Sequence, residues 1–115
     1  MIFITREERL QKILTMVEDG SLSTIPDLAR EFKLSASHLR HLFKARTGSR
    51  LGRRLVEVKL RRAALLLLES DLSIKEIAYL VGYRHPSSFV RAFEDLFHQS
   101  PGDYRQEMLI ERRFG

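Results

Sequence analysis

A chain of 115 residues with 43% hydrophobic content is long enough for one compact unit or two small lobes sharing a connector, and too apolar for a disordered tail. It contains no cysteine, which excludes disulfides and thiolate metal sites and suits a reducing, cytoplasmic compartment. The net charge of +5 and a pI near 10.0 point to a polyanionic partner, or else to a solvated basic face.

No segment alternates apolar and polar residues for long, so the expected fold class is all-α, with about seven helices. The opening MIFITREERL puts charges where a signal peptide needs an apolar core. The longest apolar run, AALLLL, falls far short of the roughly 20 residues that span a bilayer, so no membrane is expected as a partner.

Thr5 with Glu8 has the Ser/Thr-x-x-Glu spacing of a mutual cap and opens a helix over 5–19 with the apolar stripe Leu10, Ile13, Leu14 and Val17. Gly20 should stop it. Thr24 with Asp27 is a weaker cap for a helix over 24–32. Ser35 opens a third helix over 35–47, which Gly48 ends. Here Leu39, Leu42 and Phe43 line one side, while Ser37, Arg40, His41 and Lys44 fall on the other and no acid accompanies them. A long helix over 51–69 follows. Ser73 with Glu76 caps the next, 73–81, whose Ile74, Ile77, Ala78 and Val81 should be core, and Gly82 closes it. Pro86, at a first-turn position where its missing N–H costs nothing, opens 86–98 with the stripe Phe89, Ala92, Phe93, Leu96 and Phe97. Ser100 and Pro101 open the last helix, 101–111.

The positive charge is concentrated in the middle. Residues 35–68 carry nine Lys/Arg against one acid, net +8, whereas 1–34 are net −1 and 69–115 net −2. An internal repeat overlaps this region. IPDLAREFKLSASHLRHLF and IKEIAYLVGYRHPSSFVRAF align as Ile25/Ile74, Leu28/Ile77, Ala29/Ala78 and Leu34/Tyr83. After one extra residue the register continues as Leu39/Phe89, Arg40/Val90, His41/Arg91 and Phe43/Phe93. Each copy reads as helix, tight turn, helix, with a small residue where the two helices cross closely.

The stretches LAREFKLSASHLRHLFKARTG, LRRAALLLLESDLSIKEIAYLVGY and SSFVRAFEDLFHQSPGDYR resemble the DNA-binding domain of the AraC/XylS family of bacterial transcription regulators, over about residues 5 to 107. Gly82, Tyr83, Phe89, Arg91, Phe93, Pro101, Tyr104 and Arg105 match the spacing of the family signature. Three residues depart from it: Glu94 where a basic residue is common, His98 where Gly is common, and Lys59 where Arg is common. The resemblance implies a helix-turn-helix subdomain over 5–48, a linker helix over 49–70 and a second helix-turn-helix subdomain over 71–113. It also implies double-stranded DNA as partner, RNA polymerase as a candidate second partner, and an effector-sensing or dimerisation domain that these residues do not include.

In a helix-turn-helix the first helix crosses the phosphates and the start of the second enters the major groove. The expected base-contacting residues are therefore Ser37, Arg40 and His41 in the first copy, the set to which the family match also points by position, and at the corresponding positions of the second copy Pro86, Ser87, Val90 and Arg91. Arg40 is the strongest reader, since its planar fork takes guanine O6 and N7 together. Val90 suits a thymine methyl, or else is a packing contact. Lys44, Arg46, Arg50 and Arg53, with the hydroxyls of Thr24, Ser35, Ser73 and Ser88, are expected on phosphates. Glu94 and Asp95 would face the phosphates, pair with Arg91, solvate the back of the helix or meet an acid-tolerant partner. About 18 linker residues at 1.5 Å each give roughly 27 Å, which with the flanking lobes comes near one DNA turn. The run AALLLL looks apolar all round, as burial between both lobes would require.

No Cys nucleophile, Gly-rich phosphate loop or paired carboxylates flanked by His suggest an enzyme, and no cofactor is expected. His38 and His41 are spaced to share a metal, but with no acid or thiol beside them they read as a groove-facing imidazole and a half-buried neighbour. The remaining alternative is a helical protein-interaction module, which would expose an apolar patch and bind with little response to salt.

Overall fold

The computed structural model describes residues 5–114, and among them every regular element is helical. The helices are α1 (Arg6–Asp19), α2 (Ile25–Phe32), α3 (Ala36–Thr47), α4 (Leu51–Glu69), α5 (Ile74–Leu80), α6 (Pro86–Phe97) and α7 (Pro101–Phe114). The chain divides into two compact units between Val58 and Lys59.

Hydroxyl caps start five of these helices. Thr5, Thr24, Ser35, Ser73 and Ser100 each accept a hydrogen bond from the backbone N–H three residues on, at 3.0 to 3.2 Å. Each satisfies one of the orphan donors of a first turn. At α6 the cap position is His85, whose side chain makes no such bond; Pro86 follows it and removes one donor instead. The last helix runs to Phe114 rather than ending near 111. MLIERRF holds no breaker, and Arg112 and Arg113 sit in the last turn, where cations favour the exposed carbonyls.

In the first unit Ile13, Val17, Leu28, Leu39, Phe43, Leu51 and Leu55 form the buried core. The second core holds Leu60, Ala63, Ala64, Leu67, Ile77, Ala78, Val81, Phe89 and Phe93. Leu51 and Leu55 at the start of α4 belong to one core, and Leu60, Ala63, Ala64 and Leu67 further along to the other. The apolar run of α4 is not covered on all sides, because Leu65 is 56% exposed. Leu42, placed by spacing on the apolar side of α3, is half-buried beside α1 residues rather than in the core.

The repeat survives in the packing. Leu28 and Ile77 are both fully buried, as are Leu39 and Phe89, and Phe43 and Phe93 are within 2% of it. The turns match as well, since Leu34 N–H donates to Ala29 O and Tyr83 N–H to Ala78 O, both at 2.9 Å. This bond needs a left-handed residue just before it. Gly82 supplies it at φ 104°, and Lys33, without the freedom of glycine, supplies it at φ 53°. His98 takes the same conformation at the end of α6, φ 60°, at the signature's usual Gly position.

The signature aromatics Phe89, Phe93 and Tyr104 form one cluster with Phe97. Phe93 lies 5.8 Å from Phe89, 4.4 Å from Phe97 and 5.4 Å from Tyr104, joining α6 to α7. Such pairs contribute about 0.5–1.5 kcal/mol beyond area burial. Arg105 then donates to three carbonyls, Leu67 O at 2.8 Å, Leu72 O at 2.7 Å and Ser70 O at 3.4 Å. It caps the C-terminus of α4 and holds the loop that launches α5. Lys59, in place of the common Arg, has its ammonium 5.6 Å from the Tyr83 ring centre, and burial pushes the Tyr83 hydroxyl pKa up.

The two turns make opposite stability predictions. A methyl at Gly82 would meet only the flexible Lys59 side chain at 3.9 Å, so Gly82→Ala should lose about 1 kcal/mol or slightly more from backbone conformation alone. Lys33→Gly should be neutral or stabilising by less than about 1 kcal/mol. Urea unfolding measures both, and a neutral Gly82→Ala would contradict the assignment of strain.

Candidate nucleic-acid interface

The site is built from α3 upward. Burial of Leu39 and Phe43 turns Ser37, Arg40, His41 and Lys44 to the outside, where all four are exposed. An open groove of about 1060 Å³ lies beside them, lined by Ile25, Arg40, His41, Lys44, Ala45, Arg50, Leu51, Gly52 and Arg53. Its floor is apolar, and every charged residue lining it is cationic. Five of the expected phosphate contacts and base readers, Arg40, His41, Lys44, Arg50 and Arg53, thus line one groove.

Four acids of the first unit, Glu7, Glu18, Asp27 and Glu57, pair with arginines, and of those arginines only Arg53 lines this groove. Arg46 makes a two-pronged pair with Glu7 of α1, one prong at 3.3 Å. The sequence pattern suggests a phosphate contact for Arg46, but this residue follows Lys44 by two positions and so lies around the helix toward α1. Arg54 donates to Glu18 from Nε at 2.6 Å and to Glu57 from Nη1 at 2.9 Å. Arg53 reaches Glu57 only at 3.7 Å and is 82% exposed. Arg40, Lys44 and Arg50 form no salt bridge among the described residues. Glu57 is readable from sequence at three and four residues from its partners. Glu7 and Glu18 are not, being 39 and 36 residues from theirs.

Arg54 leaves a mark on titration. Its hydrogen bonds hold the Glu18 carboxyl below the usual carboxylate range, helped by its charge and opposed by burial. The bonds to Glu18 and then Glu57 raise Arg54 in turn.

The hydroxyls of Thr24, Ser35 and Ser73 are exposed and already accept from backbone N–H as caps, which leaves each hydroxyl hydrogen free to donate to an anion. His38 is exposed against α1 residues, not half-buried, and no group of three potential metal ligands occurs among the described residues.

In the second unit Ser87, Ser88 and Arg91 are exposed on α6, while Pro86 is half-buried. Val90 packs partly against the core, so the packing role left open by its sequence is present. Arg91 forms no salt bridge with Glu94 or Asp95, contrary to one of the expectations for these acids. No described helix is long and apolar enough to cross a membrane.

Two helix pairs with matched turns, each exposing one side of its second helix, define a domain with two helix-turn-helix motifs. A family described as a helix-turn-helix domain matches residues 28–107, and the chain belongs to the AraC/XylS family of DNA-binding transcription regulators. It is 39% identical over 97 residues to the HTH-type transcriptional regulator GlxA of Rhizobium meliloti (strain 1021), covering 84% of this chain and 29% of that protein. To the HTH-type transcriptional activator RhaS of Yersinia pestis (strain Pestoides F) it is 32% identical over 105 residues, 90% of this chain and 38% of that one. The chain spans well under half the length of the curated relatives it matches. Among solved structures, the DNA-binding domain of AdpA, a global transcriptional factor in complex with a target DNA, superposes with a TM-score of 0.81 at 25% identity over 93% of this chain and 98% of that one. The C-terminal domain of AraT, a response regulator from Geobacillus stearothermophilus, gives 0.78 at 28% identity, covering 86% and 84%.

The Glu18–Arg54 pair carries a pH prediction. A carboxylate whose folded pKa is depressed contributes stability that is fully present above its unfolded value near about 4.3 and lost as pH falls through the folded value. Arg54→Met should therefore be less stable at pH 6 but lose less on acidification to pH 3.5, by a few tenths of a kcal/mol to about 1 kcal/mol because both partners are partly exposed. Urea unfolding at the two pH values checks this. Parallel losses in both proteins would exclude the pair as the cause.

Proposed function

We propose that this domain recognises an asymmetric double-stranded DNA site with two unequal reading heads, α3 in the first unit and α6 in the second. The observation that carries the reading is the acid-free groove of Arg40, His41, Lys44 and Arg50 along the exposed side of α3. A helix lying in the major groove presents such a side to base edges and its flanks to phosphates. Arg40 reads guanine through its fork, with Ser37 and His41 beside it. Lys44, Arg50 and Arg53 neutralise phosphates, and the cap hydroxyls of Thr24 and Ser35 add neutral contacts.

On α6, Ser87 and Arg91 are the readers and Val90 supports them, with a thymine methyl the partner for what remains exposed of it. Ser73 and Ser88 hold phosphate. Pro86 shapes the helix start. The exposed residues of α3 include Arg40, His41 and Lys44 with no acid, whereas those of α6 include Arg91 with Glu94 and Asp95, so the first supplies most of the affinity and the second adjusts it. Signal input and contacts with RNA polymerase belong, in this proposal, to parts beyond these two heads, in keeping with coverage of well under half the length of the curated relatives. The place of action is that of its partner, the cytoplasmic nucleoid.

Binding to matched and single-mismatch duplexes at several salt concentrations separates the roles. Arg40→Ala should lose about 1–3 kcal/mol and relax preference at one base pair, and Arg91→Ala should lose clearly less. Lys44→Ala should weaken all sequences alike and lower the salt slope by about one unit. Equal losses on every sequence for Arg40→Ala would remove it from the readers, and a larger loss for Arg91→Ala would overturn the inequality of the heads.

A further inference from the structure

On α6, Ser87, Val90, Arg91 and Glu94 stand at i, i+3, i+4 and i+7, along one side of the helix. The same spacing on α3 gives Ser37, Arg40, His41 and Lys44. Burial fixes the correspondence, because Phe43 and Phe93, each 2% exposed or less, immediately precede Lys44 and Glu94. One helix therefore exposes an ammonium where the other exposes a carboxylate. Asp95 lies about 100° further round and off this line.

Glu94 is exposed and makes no salt bridge among the described residues, although Arg91 is one turn away. A carboxylate on a helix in the major groove meets phosphates at the rims or base edges at the floor. Phosphates, the partners assigned above to the ammonium of Lys44, repel a carboxylate, so the equivalent position on α6 must take a different partner. At the floor, guanine offers the acceptors O6 and N7 and thymine the acceptor O4, which repel it too, and adenine sets its N6 donor beside the N7 acceptor. Cytosine offers the N4 amino donor with no acceptor of its own beside it.

We propose that Glu94 is a specificity-determining residue of the second reading head, its carboxylate accepting a hydrogen bond from the N4 amino group of cytosine. This rests on the DNA-reading role proposed above for α6. The negative charge lowers general affinity for the polyanion and in exchange discriminates at one base pair.

The test uses the full chain, with wild type, Glu94→Ala and Glu94→Gln each selecting duplexes from a random pool, followed by affinity measurements on duplexes carrying each of the four base pairs at every selected position. Wild type should favour cytosine at one position by about tenfold, the size of a good base contact. Glu94→Ala should flatten that position and leave the others alone, and Glu94→Gln should shift it toward adenine, whose N6 and N7 an amide can meet together. Two results would overturn the proposal: uniform tightening on all duplexes with every preference kept, which marks a merely repulsive charge at the backbone, or no change at all, which places Glu94 off the DNA. Failure of wild type to select any sequence would defeat the DNA-reading role as well, and is thereby distinguished from failure of the Glu94 contact alone.

Discussion

Everything at the interface depends on two side chains of α3 going inward. Leu39 and Phe43 are at most 2% exposed, and in a helix a buried pair at i and i+4 leaves no freedom over which residues face out. Burial of such side chains is worth about 1.5–3 kcal/mol each, far more than any single surface charge contributes. The hydrophobic core thus aims Arg40, His41 and Lys44. Phe89 and Phe93 do the same for α6, where the aromatic cluster with Phe97 and Tyr104 adds rigidity.

The second constraint is electrostatic, and it works by segregation. The stretch 35–68 has net charge +8, yet Arg46 and Arg54 are neutralised by Glu7, Glu18 and Glu57, fastening α1 to α3 and α4. Of the cations in this stretch that make no salt bridge among the described residues, Arg40, Lys44 and Arg50 line one groove of the first unit, whereas Lys59, Arg61 and Arg62 belong to the second unit. A uniformly basic surface would attract polyanions without orienting them, whereas separating structural from free cations gives the approach a direction.

Local signals make most of the fold legible in the sequence. Thr5, Thr24, Ser35, Ser73 and Ser100 cap where their spacing to the following residues says they should, because capping is decided within one turn. The repeat is legible because both copies bury the same positions. Lys33 is not, since its left-handed turn is imposed by the crossing of α2 and α3 and not by its own preference. The partners of Arg46 and Arg54 are hidden by sequence separation, so Arg46 reads as one more free cation. Val90 sits at the edge between core and solvent, which a periodicity resolves only to within a residue. The extent of α7 to Phe114 and the division of α4 between two cores are tertiary outcomes that no cap or breaker announces.

The central claim is that free cations on the first unit, aimed by the core beneath them, drive association with DNA. Its most direct test is the affinity of the unmodified chain for one selected duplex, measured from low to physiological salt. Neutralising Arg40, Lys44 and Arg50, with further phosphate contacts from Arg53 and the second unit, predicts that log K falls linearly with log salt at a slope of roughly −3 to −5. A slope near zero, with affinity retained at high salt, would contradict the account and favour an apolar protein-interaction surface.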